Sequence, residues 1–316
     1  MLRYTIRRLT WLPVILFATS LIAFVMLRTL PGQDPADVIA GQGATEEQKE
    51  RVREELGLAR PIIEQYWDWL SGVLVGDFGT SYESQAPVRD QFKDKFPLSF
   101  ELVLIAVAFS AVFGIGAGIV SATFRNGMLD YNVRLFAVLG ASVPSFFLLT
   151  LLVVIPSNLW NYVQPVGGDV DLLHHPARNL ELILPTAIVL GVASSAGLMR
   201  LVRTTMLEVL QADYVRTARA KGLHRSAIVM SHALRNSATP ILTALGAEFI
   251  LGFGGSIIAE QILSIRGVGE WFFTAAFKRD LPVVQFLVVY TAFVVMIVNL
   301  IVDLSYAWAD PRVRYS

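Results

Sequence analysis

Residues Met206–Leu223 read MLEVLQADYVRTARAKGL, a polar and basic segment between two long apolar runs. Asp213 can accept the orphan backbone N–H groups of a first helical turn, so it is expected to cap a helix. Tyr214–Lys221 then supplies two turns, and Gly222 stands where a left-handed residue would end them. Arg216, Arg219 and Lys221 set cations beside the small Ala218 and Ala220. Small side chains let a partner's backbone come close, and cations steer an acidic or mixed-charge partner. A basic loop beside a membrane also serves simply as a topology signal, and that ordinary role competes with docking.

The apolar flanks set the class. Of 316 residues 54% are hydrophobic and 16% charged, with formal net charge zero. Soluble domains carry about a quarter charged residues. There is no cysteine, which excludes disulfides and thiol chemistry. His174, His175, His224 and His232 have no metal-ligand spacing, and the adjacent pair reads as solvated loop.

Arg3, Arg7 and Arg8 precede an apolar run from Trp11 to Leu30. A helix needs ~20 residues to cross a hydrocarbon core. A signal peptide shares the basic start, but the run is long and no small-x-small cleavage site precedes Pro31-Gly32. It is read as a retained span. Further runs lie at Leu98–Thr123, Leu135–Ile155, Leu180–Val202, Ile241–Leu263 and Val283–Tyr306, giving six. Seven Lys/Arg fall from Arg200 to Arg235, Arg125 and Arg134 between spans two and three, and Arg312 and Arg314 after the sixth. The outer loop 156–179 has only Arg178. The positive-inside rule therefore puts the termini and the basic loop in the cytoplasm.

Residues 31–96 are polar and turn-rich. Thr45 followed by Gln48 makes a capping box for Thr45–Leu56. After Pro61, Ile62, Ile63, Tyr66, Trp67, Trp69, Leu70 and Val73 form one broad apolar face, and indoles favour the headgroup zone. Gly76-Asp77-Phe78-Gly79 reads as a turn. The segment is expected to be a small extracytoplasmic cap without substrate contact. Gly114, Gly116 and Gly118 in span two, and Gly252, Gly254 and Gly255 in span five, permit close helix approach. Pro144 and Pro185 are expected to bend spans three and four. An interfacial or re-entrant turn is expected around Arg266–Phe277.

The run RTARAKGL at Arg216–Leu223, followed by HALRN at His232–Asn236, resembles the cytoplasmic EAA loop of ABC-importer permeases. The general pattern has Glu-Ala-Ala, three residues, then Gly; here Arg216-Thr217-Ala218 and Gly222 occupy those places. The departure from Glu-Ala, and His232-Ala233-Leu234-Arg235 in place of Ile-x-Leu-Pro, follow the style of the peptide/nickel (oligopeptide–dipeptide) branch, first-permease (B-type) subunit. MLRYTIRRL, LRTLPGQDPA, LGLARPIIEQYWDWL…GDFGTSY, GVGEWFFTAAFKRDLPVVQ and NLIVDLSYAWADPRVR extend the resemblance over nearly the whole chain.

That resemblance implies an all-α membrane protein with the type I importer permease (MetI-like) fold. Its parts would be a tip and first span (1–30), an extracytoplasmic segment (31–96), a permease core (97–308) holding the coupling loop 203–238, and a tail (309–316). It also implies a second homologous permease, two cytoplasmic ATPase subunits or domains, and an extracytoplasmic substrate-binding protein. Membrane lipid surrounds the chain, and no nucleic acid is implicated. Asp213, Tyr214, Arg216, Thr217, Ala218, Arg219, Ala220, Lys221, Gly222 and Leu223 would form the ATPase-coupling site. Glu248, Gly252 and Gly255 are the candidates for the translocation path, which spans two to five would line, although pairing with an arginine is the more ordinary role for Glu248. The implied cargo is di- or oligopeptide in a bacterial or archaeal cytoplasmic membrane; nickel chelates, glutathione and oligosaccharides belong to the same family.

No cofactor is expected in this chain. It contains no GxxxxGK[ST] phosphate loop, so ATP and Mg would be held by partner subunits. A secondary transporter would use Glu248 as an intramembrane acid, but no internal repeat supports that class. An intramembrane enzyme would need a catalytic set, and Glu101 and Glu260 look interfacial. The chain is therefore expected to be non-catalytic.

Overall fold

The computed structural model describes residues 2–29, 35–41, 43–55, 57–163, 172 and 174–309. Pro31-Gly32, residues 164–171 of the outer loop, Arg312 and Arg314 lie outside them. The described residues are all-helical apart from one isolated bridge, Thr80 with Pro87. In chain order the helices are α1 (Leu2–Thr29), α2 (Pro35–Ala40), α3 (Glu46–Glu55), α4 (Ile62–Leu74), α5 (Val88–Thr123), α6 (Met128–Ser142) and α7 (Ser145–Trp160). There follow α8 (Pro176–Leu210), α9 (Asp213–Ala220), α10 (Arg225–Ala227), a π-helix (Ile228–Leu234), α11 (Ala238–Leu263), α12 (Val268–Phe277) and α13 (Leu281–Ala309).

Among the described residues, α1, α5, α8, α11 and α13 each carry a stretch long and apolar enough to cross a membrane. The third apolar run is not one rod. It falls on α6 and α7, which meet at 91° and make a sixth candidate span when taken as a pair. Val143 takes the extended conformation (φ −95, ψ 120) and Pro144 starts α7. Proline's ring disfavours helical geometry in the residue before it, which ends α6 there. Pro185 behaves differently, lying inside an α8 assigned as one helix.

The chain divides into two compact units. The first comprises Met1–Thr5, Leu98–Ile265 and Val298–Ser316. Leu102, Leu149, Leu182, Ile183, Ala259 and Leu263 pack in its apolar core. Close helix approach rests on some of the expected glycines. A Cβ on Gly118 would stand 2.6 Å from Val202 Cβ, and one on Gly252 2.8 Å from Val103 Cγ1. Gly116, Gly254 and Gly255 have no such neighbour within 4 Å. Gly191, which the sequence did not single out, has the backbone oxygen of Ala106 2.6 Å from where its Cβ would be.

The second unit comprises Ile6–Pro97 and Arg266–Ile297. Its capping box forms at α3: the Gln48 amide N–H donates to Thr45 Oγ1 (3.3 Å) and the Thr45 N–H to Gln48 Oε1 (2.9 Å). On α4, Tyr66 is fully buried and its hydroxyl lies 2.9 Å from Ser20 Oγ, whereas Trp67 stays exposed. Gly76 and Gly79 have φ of +83° and +84°, and the Gly79 N–H donates to Asp77 Oδ1 at 2.9 Å, closing the turn. The stretch expected as a turn around Arg266–Phe277 is mostly the regular helix α12, with Val268, Trp271 and Ala275 buried. Asp280, 2% exposed, accepts from Ser81 Oγ and the Tyr82 N–H.

Candidate functional site

The predicted helix at 213–222 exists as α9, two turns long. Its start is not built as expected. Ala212 occupies the N-cap (φ −67, ψ 148) and makes no side-chain cap, so Asp213 is the first helical residue rather than the cap. Its carboxylate still suits the positive end of the helix dipole. It accepts from Arg216 Nη1 at 3.5 Å, a pair with side chains 75% and 96% exposed, which contributes little to stability.

The end is built as the sequence implies. Gly222 has φ +79°. Its N–H donates to Arg219 O (2.9 Å) and the Leu223 N–H donates to Ala218 O (3.3 Å). Those two bonds are the pair that closes a Schellman motif and satisfies the last carbonyls. Nothing lies within 4 Å of a Cβ built on Gly222, so the requirement for glycine there is conformational, not steric.

Val215 and Ala218 are buried against Ile228, with Val209 and Leu210 alongside. This corrects the role given to Ala218: it packs α9 onto its own chain and is not offered to a partner. Tyr214, Arg216, Thr217, Arg219, Ala220, Lys221 and Leu223 remain exposed. Tyr214 is also a fastening point, because Asn236 Nδ2 donates to its hydroxyl at 2.9 Å. Asn236 belongs to the HALRN run, whose first three residues end the π-helix Ile228–Leu234. The extra residue per turn of a π segment is a recurrent mark of functional sites, and no residue pattern in 228–234 signals it.

The path candidates gather elsewhere in the first unit. Glu248, Gly252 and Gly255 line one cavity of about 430 Å³. Its other walls are Val103, Ala106 and Val107 of α5, Gly140, Ala141, Val143 and Ser145 around the α6–α7 break, and Leu190, Ala193 and Ser194 of α8. Spans two to five thus all contribute. The expected arginine partner of Glu248 is not found among the described residues; Ser110 Oγ donates to Glu248 Oε2 at 2.8 Å instead. Glu260, near the end of α11, is fully buried and accepts from Ser99 Oγ at 2.7 Å. Glu101 accepts from Asn179 Nδ2 at 2.9 Å.

One tie was missed altogether. Asp130, in the first turn of α6, is fully buried and takes a bidentate pair from Arg203 of α8 (Nε 2.8 Å, Nη2 2.9 Å). Ser121 Oγ and the Asn126 N–H also donate to it. Arg203 had counted only as one of several topology cations. No local pattern pairs residues 73 positions apart.

Residues 114–315 match the family described as binding-protein-dependent transport system inner membrane component, and residues 1–103 match the N-terminal region of such membrane components. The chain belongs to this family of transport permeases. It is 38% identical over 304 residues to a peptide transport system permease protein of Brucella abortus (strain 2308), covering 96% of each chain. It is 38% identical over 315 residues to the glutathione transport system permease protein GsiC of Pectobacterium atrosepticum, covering 100% of each. Among solved structures, the inward-facing MetNI methionine ABC transporter matches with a TM-score of 0.49 and 17% identity, over 67% of this chain and 93% of that one. The permease is therefore a multi-pass membrane subunit of an ABC importer, a class that works with an ATPase and a substrate-binding protein.

Proposed function

We propose that the permease forms half of a translocation pathway for short peptides, glutathione included, beside a second homologous permease. Two cytoplasmic ATPase subunits or domains hold ATP and Mg and perform the hydrolysis; the permease is non-catalytic and carries no cofactor of its own. Full-length identity to relatives named for peptide and for glutathione transport supports the substrate class. In this reading the N and C termini and α9 face the cytoplasm, on the placement of Lys and Arg. Residues 31–96 form an extracytoplasmic cap.

The observation that carries the mechanism is the construction of α9. Its end is fixed by the Gly222 turn, its inner face by Val215 and Ala218, and its start by Tyr214 and Asn236. A short helix fastened at three points moves as a body with the helices on either side of it, α8 before and α11 after. Arg216, Thr217, Ala220 and Lys221 are left outward for a cleft of the ATPase, while Arg219, exposed too, borders the same space as Arg125 and Arg225. Closure of that cleft would then reach the cavity lined by Glu248, Gly252 and Gly255, where the α6–α7 break supplies a wall that need not move as a rod.

The test is uptake by vesicles containing the purified importer with its binding protein. Peptide uptake should require internal ATP, and the ligand carried by the co-purified binding protein should be a peptide. Uptake without ATP would favour a secondary transporter, and a bound sugar or nickel chelate would replace the peptide assignment. Single cysteines at Ser84 and Ser316, in a chain that otherwise has none, should label from opposite sides; labelling of both from outside would overturn the orientation.

A further inference from the structure

A second cavity, of about 510 Å³, opens within the first unit between the ends of α5 and α8 and the inner flank of the α9 loop. Arg125, Arg219 and Arg225 line it, and no acidic side chain does. None of the three is ion-paired to a described carboxylate. Arg225 is held in place, since its guanidinium donates to the backbone oxygen of Thr123 and stacks on the Phe124 ring at 5.2 Å. Thr123 itself lines the cavity. Three cations around one space call for an anion with several acceptor oxygens.

The rest of the lining narrows the class. Leu210 and Leu223 make apolar wall, and Phe124 and Met128 stand exposed at 47% and 78% on the adjoining turn. A free inorganic anion has no use for such a wall. A phospholipid has a phosphate for the arginines and acyl chains for the apolar rim, and basic pockets between spans on the cytoplasmic side suit anionic headgroups. We propose that this cavity binds the headgroup of an anionic phospholipid, behind the coupling helix. The proposal rests on the cytoplasmic placement of α9 given above. Occupancy would brace the one side of α9 that its own chain leaves hollow, so that the importer couples best in an anionic membrane.

The test uses the whole importer, exchanged into phosphatidylcholine and then offered phosphatidylglycerol in mixed vesicles. The lipid retained after repurification is measured by mass spectrometry. Wild type should retain phosphatidylglycerol in preference, and Arg125→Gln with Arg225→Gln should lower that preference roughly thirtyfold, two charge contacts being lost. Arg125→Gln alone, which leaves the Arg225 bond to Thr123 in place, guards against misfolding and should give a partial loss. Equal retention by wild type and both variants would overturn the proposal. So would inorganic phosphate that displaces the lipid fully, since that marks a free-anion site. Loss of the ATPase from the variants with unchanged lipid would mark the cavity as a protein contact. A cysteine at Arg125, labelled from outside the vesicle or from within, tests the orientation separately from the lipid.

Discussion

The coupling loop and the α5–α8–α11 cavity are held by opposite kinds of interaction. At the end of α9 the chain is shaped by near neighbours: Gly222 and Leu223 bond back to Arg219 and Ala218, and His224 Nδ1 accepts from the Ser226 N–H at 3.3 Å. Between the helices that enclose the cavity the ties join distant residues. Ser110 reaches Glu248, Ser99 reaches Glu260, and Arg203 reaches Asp130. The loop should therefore tolerate damage to its end without loss of the membrane fold, whereas cutting one of the long ties should be felt by several spans together.

The largest effect should follow removal of the Asp130 carboxylate. It is fully buried and accepts four hydrogen bonds from three other residues. Breaking a buried pair by deleting one partner costs ~3–5 kcal/mol. Arg203 keeps 21% side-chain exposure, so the lower end of that range is expected for Asp130→Ala. Thermal unfolding of the purified permease in detergent reads it, and Asp130→Asn should recover part of the loss because it keeps acceptor and size. An unchanged unfolding temperature for Asp130→Ala would mean that the tie is not holding α6 on α8.

Gly222→Val should cost less in stability and more in function. A β-branched residue in the left-handed region is disfavoured by about 1–2 kcal/mol, and that strain is confined to an exposed turn. Ligand-stimulated ATP hydrolysis should fall to the basal rate while the unfolding temperature moves by only a few degrees. Gly222→Asn, which tolerates φ > 0, should restore most of the stimulation. If valine and asparagine behave alike, the backbone conformation is not what matters. Ala218→Glu tests the inward face. Because Ala218 is buried on Ile228 and Val215, the glutamate should unseat α9 from its own loop and not merely repel a partner.

The same contrast explains what could be read from the residues. Six apolar runs, the capping box at Thr45 and the glycine that ends α9 are local statements about periodicity, side-chain reach and backbone freedom, and each has its counterpart in the structure. The Asp213 cap failed by one position, because Ala212 already has the extended conformation a cap needs. Helix ends are decided by where the backbone turns as much as by which side chain could cap. The bend expected at Pro144 has its counterpart in the α6–α7 break, although its angle was not legible, because the apolar run continues through Val143-Pro144 and hydropathy does not register a dihedral constraint. What stayed hidden was partner choice across spans. Glu248 looked like a charge in need of an arginine and Arg203 like a topology cation, yet Glu248 took a serine and Arg203 an aspartate 73 residues away.

Glu248→Gln should change the fold least and so isolates the cavity's function. The glutamine keeps an oxygen that can accept from Ser110 Oγ, as Oε2 does at 2.8 Å, and it keeps the volume of the side chain. An effect within about 0.5 kcal/mol on stability is expected, as for substitutions that leave packing and hydrogen bonding intact. The charge, however, is removed from a space walled mostly by small and aliphatic residues. A carboxylate in such a place, with no cationic partner among the described residues, is a candidate for the pathway. If Glu248 meets the peptide during passage, uptake should fall severalfold with ATPase attachment and ligand-stimulated hydrolysis unchanged. Gly252→Val gives the steric counterpart, since its side chain would press on Val103 Cγ1, 2.8 Å from the Cβ position. A loss of uptake in the valine variant alone would make the cavity a passage whose width matters and whose charge does not. Wild-type uptake in both variants would remove this cavity, and Glu248 with it, from the route.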